Sequence, residues 1–258
     1  MKNDNFQYHI QLKPGDVGRY VLLPGDPGRS ERIAAYFDNP QLVAQNREYT
    51  TYSGTLLNEK VSVVSTGIGC PSTAIAVEEL IKIGADTFIR IGTSGGMQPG
   101  TKTGDIAIVT GAIRDEGTTK HYLPIEFPAV ADVDVVNAMR AGVQKLALPY
   151  KLGIAQSKDS FYGEVESDRM PMTDHLETRW NAWVQGGAIC SEMESAAIFI
   201  LASIHRKRAG GVMMMVSANE GLPEDEAGKD LFHGDRAIQT AIEGLKVLIE
   251  QDRNSPAD

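Results

Sequence analysis

The chain has 258 residues, 42% hydrophobic and 23% charged, which supports a sizeable core in an ordinary globular protein. Its formal net charge of -9 comes without any basic run, which argues against nucleic acid as a partner. No apolar stretch reaches the ~18 residues of a membrane span, the N-terminus is polar rather than signal-like, and the two cysteines lack CxxC spacing, so a cytoplasmic protein without a membrane partner is expected.

In chain order, residues 20–23 read as a short strand ending in the turn Pro24-Gly25-Asp26-Pro27-Gly28-Arg29, which opens a helix over 30–37. A second strand over 61–65 ends at Thr66-Gly67-Ile68-Gly69, and an amphipathic helix follows over 72–83 with Ser72 as its cap. Residues 86–91 form a short apolar run interrupted by Arg90, and Gly92-Thr93-Ser94-Gly95-Gly96 reads as a turn after it. Further strands are expected over 105–110, 150–156 and 211–216. Helices are expected over 132–146, capped by Asp132, and over 178–184, 192–204 and 235–250, with 251–258 as a frayed tail. Strands alternating with helices predict one αβα domain over 1–258 with a largely parallel sheet.

An arginine inside a buried strand needs a partner, because the guanidinium stays charged and an unpaired buried charge is expensive. Either an anionic ligand meets Arg90 at the carboxyl end of the strand or a structural salt bridge does. Arg29 at a helix start and Arg47 in the β-prone Asn46-Arg47-Glu48-Tyr49-Thr50-Thr51-Tyr52 segment admit the same two readings: phosphate clamp, or solvated surface. Three glycine- and hydroxyl-rich turns supply N–H donors suited to phosphate, yet neither a Walker loop nor a full GxGxxG is present. Glu192 and Glu194 at the start of an apolar helix are either a capping pair or acceptors for sugar hydroxyls.

Seven segments occur together in order. They are Pro24 to Arg29, Asn46-Arg47-Glu48-Tyr49-Thr50, Ser65-Thr66-Gly67-Ile68-Gly69, Phe88-Ile89-Arg90-Ile91-Gly92-Thr93, Glu126-Phe127-Pro128-Ala129-Val130-Ala131-Asp132, Phe161-Tyr162-Gly163 and Ser191-Glu192-Met193-Glu194-Ser195. From about residue 9 to 248 the chain closely resembles the nucleoside phosphorylase I family, in its bacterial uridine phosphorylase branch. The resemblance implies a three-layer αβα subunit with a mixed sheet forming a distorted barrel, in a hexamer built as a trimer of dimers with shared sites. It implies phosphorolysis of a pyrimidine nucleoside, uridine and deoxyuridine, to the base and (deoxy)ribose 1-phosphate in pyrimidine salvage, with phosphate as co-substrate and no required cofactor. By the same resemblance, phosphate falls on Gly25, Arg29, Arg90 and Thr93, with Arg47 from a neighbouring subunit. Arg90, Glu194 and Arg29 carry the catalysis. Ribose falls on Thr93, Met193 and Glu194, plus His9 from the neighbour. The base falls on Ser94, Gly95, Phe161, Glu164, Arg169 and Glu192. A structural potassium ion falls on Glu48, Ile68 and Ser72.

Three positions depart from that pattern. Glu164 stands where a glutamine, with a nearby arginine, is usual for reading uracil. A carboxylate accepts but does not donate, and Arg169 either compensates or pairs with Asp168 or Glu166. Ala218 replaces the aspartate that purine-specific relatives use to protonate the base, and Cys70 stands where glycine is usual. Residues 220–234 read either as a lid or as a plain surface loop. A phosphorylase of other base preference, a water-using nucleosidase and a non-catalytic nucleoside binder are the alternatives.

Overall fold

The computed structural model describes residues 6–218 and 234–254. Its elements are β1 (Tyr20–Pro24), α1 (Pro27–Ala34), β2 (Asp38–Asn46), β3 (Tyr49–Leu56), β4 (Glu59–Val64), α2 (Cys70–Lys82), β5 (Thr87–Gly96), β6 (Ile106–Asp115), β7 (Ala129–Val130), α3 (Val133–Lys145), β8 (Tyr150–Lys158), α4 (Tyr162–Val165), α5 (Thr173–Gln185), β9 (Cys190–Glu192), α6 (Ser195–Ile204), β10 (Arg208–Ala218) and α7 (Asp235–Asn254). The strands join into one mixed sheet in the order β10-β6-β8-β9-β5-β1-β4-β3-β2, and β10 also pairs with β5. That extra pairing closes five strands into a barrel, as the resemblance implied, with β1, β4, β3 and β2 extending from it.

Strand β5 decides where the chain is open. Its first half lies between β1 and β10, with Pro24 opposite Ile91. Its last residues, Gly95 and Gly96, pair instead with Ser191 and Cys190 of β9. Among the described residues, Gly92, Thr93 and Ser94 have no strand neighbour on that edge. The sheet therefore splits at the carboxyl end of β1, the kind of switch point at which open α/β sheets bind ligands.

Residues 92–96 are consequently strand, not the expected turn, because β10 pairs along their whole length. Glycine is needed at Gly92: a Cβ there would come within 2.7 Å of Met213 Sδ and 3.1 Å of Arg90 Nη2. Other expectations shift similarly. Asp26 caps α1 by accepting from the Gly28 N–H, so that helix starts at Pro27. Gly69, at φ +99°, precedes α2, and Ser72 is spent on Glu48 rather than capping. The β-prone segment around Arg47 is a hairpin of β2 and β3, and Glu192 belongs to β9, three residues before α6.

Helices α2 and α6 pack in one core with Val77, Leu80, Phe199 and Ile200. Helices α1, α3 and α7 pack in another with Ile33, Val135, Met139, Ile238 and Leu245. These two cores on opposite faces give the three-layer arrangement. The C-terminal helix runs through Asn254, past the expected start of a frayed tail. Its Asp252 accepts from Arg208 Nη1 at 2.8 Å, from Arg208 Nη2 at 2.6 Å and from the Tyr20 hydroxyl at 2.5 Å.

Those bonds, led by the one from Arg208, hold Asp252 below the usual carboxylate range against the opposing effect of partial burial. A carboxylate with a depressed folded pKa adds stability above its unfolded pKa, about 3.9, and loses it as pH falls through the folded value. Asp252→Asn is expected to cost about 1 kcal/mol at neutral pH, solvent screening included, with the gap closing below about pH 4. Urea unfolding of parent and variant at both pH values checks this. A pH-independent gap would argue against the ion pair.

Candidate active site

The split in the sheet is lined from three sides. From β1, the Pro24 turn leads into α1, whose buried Arg29 shares a small cavity with Asp26, Gly28 and Arg32. Burial pushes the Arg29 pKa down; Asp26 opposes this and the neighbouring Arg90 adds to it, so the two cations feel each other. From β5 comes Thr93. A Cβ placed on Gly234 would lie 3.6 Å from Thr93 Cγ2 and 3.9 Å from Arg29 Cζ, which locates both side chains against one backbone point. Gly25 adjoins the next turn, with the Gly67 carbonyl 3.2 Å from where its Cβ would be.

The third side is the Arg90 cluster. Arg90 is 5% exposed. Its Nε donates to Glu192 Oε2 at 2.7 Å, and its Nη2 pairs with Glu194 Oε2. The salt-bridge reading of Arg90 is therefore realised, yet it does not use the whole guanidinium. Nη1 is buried with no hydrogen-bond partner among the described residues. Burial lowers the Arg90 pKa, but Glu194 and then Glu192 outweigh it and hold the group charged.

The two carboxylates differ in what they have left to give. Glu192 accepts from Arg90, from the Ser157 hydroxyl, and from the Glu194 and Ser195 N–H groups at 2.9 and 3.0 Å. Its side chain is wholly buried. The structure thus places Glu192 as the anchor of Arg90 and the acceptor for the first N–H of α6, next to Ser191, which pairs with Gly95. Glu194 accepts the Gly69 N–H at 2.6 Å and pairs with Arg90, and a carboxylate has further acceptor capacity. Burial pushes its pKa up, Arg90 opposes, and Glu192 adds to the rise. Met193 between them is half-buried, and its carbonyl accepts the Cys70 thiol, which is how the turn accommodates that cysteine.

The residues expected to meet the base lie further along β5 and on α4. Gly95 pairs with Ser191, and the buried Ser94 hydroxyl sits 3.3 Å from Met215 Sδ. Glu164 Oε2 is 3.0 Å from Ser191 Oγ, and its Oε1 pairs with Lys158. Lys158 Nζ also donates to Ser191 Oγ at 2.7 Å and stands 5.5 Å from the centre of the Phe161 ring. Sequence reasoning missed Lys158, which carried no signal in the sequence, because it follows the polar Gln156 and Ser157 at the end of β8 and reads as a solvated strand end. Arg169 takes the other of its two readings: it is exposed and pairs with Glu166 at 2.7 Å, so it does not complement Glu164.

The remaining expected residues gather elsewhere. His9 Nδ1 lies 2.6 Å from Glu79, and the His9 carbonyl accepts from Asn46 Nδ2 at 2.7 Å. That bond sets His9 beside the β2–β3 hairpin, where Arg47 is exposed at φ +54°. Glu48 accepts from the Ser72 hydroxyl at 2.7 Å, and Ile68 is 77% exposed. Partial burial pushes the Glu48 pKa up, but the Ser72 bond and the local backbone bonds outweigh it and lower it. The Ala218 side chain and the 220–233 segment lie outside the described residues.

The chain is similar to known proteins over most of its length. Residues 19–250 match the phosphorylase superfamily. The chain is 49% identical to a uridine phosphorylase of Treponema pallidum, with 95% of each chain covered. It is 42% identical to a uridine phosphorylase of Thermococcus kodakarensis, over 96% of this chain and 89% of that one. It is 37% identical to a guanosine phosphorylase of Halorubrum lacusprofundi, over 94% and 99%.

The Arg90 cluster makes a stability prediction independent of chemistry. Arg90→Met strands two buried carboxylates and is expected to cost about 3–5 kcal/mol. Adding Glu192→Gln to that variant should recover part of the loss. Denaturant unfolding of the three proteins decides, and an Arg90→Met variant as stable as the parent would contradict the cluster.

Proposed function

The chain belongs to the phosphorylase superfamily, and from that premise we propose that it cleaves uridine and deoxyuridine with inorganic phosphate. The products are uracil and (deoxy)ribose 1-phosphate, a pentosyl transfer serving pyrimidine salvage in the cytoplasm. The observation that carries this reading is Arg90 Nη1, a buried cationic donor without a partner among the described residues, set at the split in the sheet close to Arg29. A phosphate oxyanion supplies the acceptor that this donor lacks.

Cleavage of the glycosidic bond builds positive charge on the sugar. Phosphate held by Arg90, Arg29, Thr93 and the Gly25 turn attacks C1′ and balances that charge, so no covalent protein nucleophile and no cofactor is required. The spare acceptor capacity of Glu194 orients the ribose hydroxyls beside Met193. The base then lies toward Ser94, Gly95, Phe161 and Glu164.

Charge supports a site shared between copies. Within one chain, the buried Arg29 and Arg90 are balanced in charge by the buried Glu192 and Glu194, two cations against two carboxylates. A phosphate dianion gains little from a neutral set, and a further cation is needed. Arg47 is exposed on a hairpin tied to His9, so one neighbouring copy would deliver both residues together in the hexamer. Glu48, Ser72 and the Ile68 backbone offer oxygen donors, which suit a hard cation such as potassium, in a cluster that a second copy would complete.

The test is a panel of uridine, deoxyuridine, thymidine, inosine and guanosine, with and without phosphate, reading the released base. Uridine is expected to exceed guanosine by about 100-fold or more in kcat/KM. Guanosine as the preferred substrate would overturn the pyrimidine assignment, and base release unaffected by phosphate would overturn phosphorolysis.

A further inference from the structure

Cys70 is fully buried, and the reaction set out above makes no use of it. It opens α2 directly after Gly69, which sits at φ +99°. Burial, and then the carboxylates Glu116, Glu192 and Glu194, push its pKa up, so the sulfur keeps its hydrogen. The thiol is therefore a donor, and it donates to the Met193 carbonyl at 3.3 Å. The Gly69 N–H beside it donates to Glu194 Oε1 at 2.6 Å. Consecutive residues of one turn thus hold consecutive residues of another, one by its backbone and one by its side chain.

The peptide that joins Met193 to Glu194 is held at both ends. Its carbonyl accepts from Cys70, and its N–H donates to Glu192 Oε2 at 2.9 Å. The tilt of that peptide sets the direction in which the Glu194 side chain leaves the backbone. Alanine or glycine at position 70 would leave the carbonyl without this donor and the peptide held at its N–H alone.

Tilt matters because of what the Glu194 carboxylate has left to offer. Oε1 takes the Gly69 N–H and Oε2 takes Arg90, and an ionised carboxylate has about four lone-pair sites. Each oxygen can accept once more. Two adjacent acceptors suit two adjacent hydroxyls, as in the 2′,3′-diol of a ribonucleoside, whereas a 2′-deoxyribonucleoside brings only one. A paired contact demands that both oxygens be in place together, while a single hydrogen bond tolerates a tilted acceptor.

We infer that Cys70 is a positioning residue which, by fixing the Met193–Glu194 peptide, favours ribonucleosides over 2′-deoxyribonucleosides. The inference rests on the reading above that seats the sugar at Glu194. Cys70 acts through that turn and takes no part in making or breaking bonds.

The test compares uridine with 2′-deoxyuridine in the parent, Cys70→Ala and Cys70→Ser. The parent is expected to prefer uridine. In Cys70→Ala, kcat/KM for uridine should fall by about 10-fold and for 2′-deoxyuridine by no more than about 2-fold, the difference of one hydrogen bond. Cys70→Ser keeps a donor and should keep the parent's preference. The ratio of the two substrates within one preparation does not depend on how much of the protein has folded, so a destabilised variant still reports. Equal losses on both substrates would reduce Cys70 to a packing residue and overturn the inference, as would a serine variant that shifts as far as alanine. Calorimetric binding of the two nucleosides without phosphate makes the same comparison without turnover. A parent that binds uridine and releases no uracil with phosphate would therefore defeat the phosphorolysis reading and leave the Cys70 test standing.

Discussion

One arginine held between two buried carboxylates is the constraint on which the site depends. Through Glu192, Arg90 of β5 is tied to the N-terminus of α6 and to Ser157 of β8. Through Glu194 it is tied to the turn that opens α2. Removing ions from water costs several kcal/mol each, and this cost is offset only when geometry is good and the remaining lone pairs are used. Glu192 meets that demand completely. Glu194 and Arg90 do not: among the described residues, acceptor capacity on one and a donor nitrogen on the other stay unused.

The sheet explains why this cluster is reachable at all. A strand flanked on both edges along its whole length would bury Arg90 beyond any ligand. β5 instead exchanges β1 for β9 partway along, and the three residues between the two pairings open the sheet beside Arg90. Closure of the barrel through β10 and packing of helices on both faces keep that opening fixed. Preorganisation of this kind suits a reaction in which the protein positions two substrates and stabilises charge rather than forming bonds itself.

What could be read in the sequence follows from the range of each interaction. Arg90 stood out because its strand is six residues of local pattern. Its partner Glu192 lies 102 positions away, so the choice between ligand and salt bridge was undecidable locally, and the structure shows that the salt bridge takes only part of the side chain. Residues 92–96 looked like a turn because glycine is usually a breaker; here it is required by Met213 and the Arg90 guanidinium packed above it. Glu164 looked mismatched because its neutralising partner, Lys158, is a separate residue that only the fold brings to it. Arg169, nearer in the pattern, is spent on Glu166 one helical turn away. The buried arginines were thus legible from composition and place, and the Lys158–Glu164 pair was not, because it exists only as a tertiary contact.

In the proposed reaction phosphate, not water, is the group that attacks the sugar. Cleavage of uridine in 18O-labelled water with unlabelled phosphate, followed by phosphorus NMR and mass spectrometry of the sugar product, tests this directly. The expected product is a ribose 1-phosphate that carries no 18O from the solvent. Free ribose labelled at C1′ would contradict the role given to Arg90 and its neighbours.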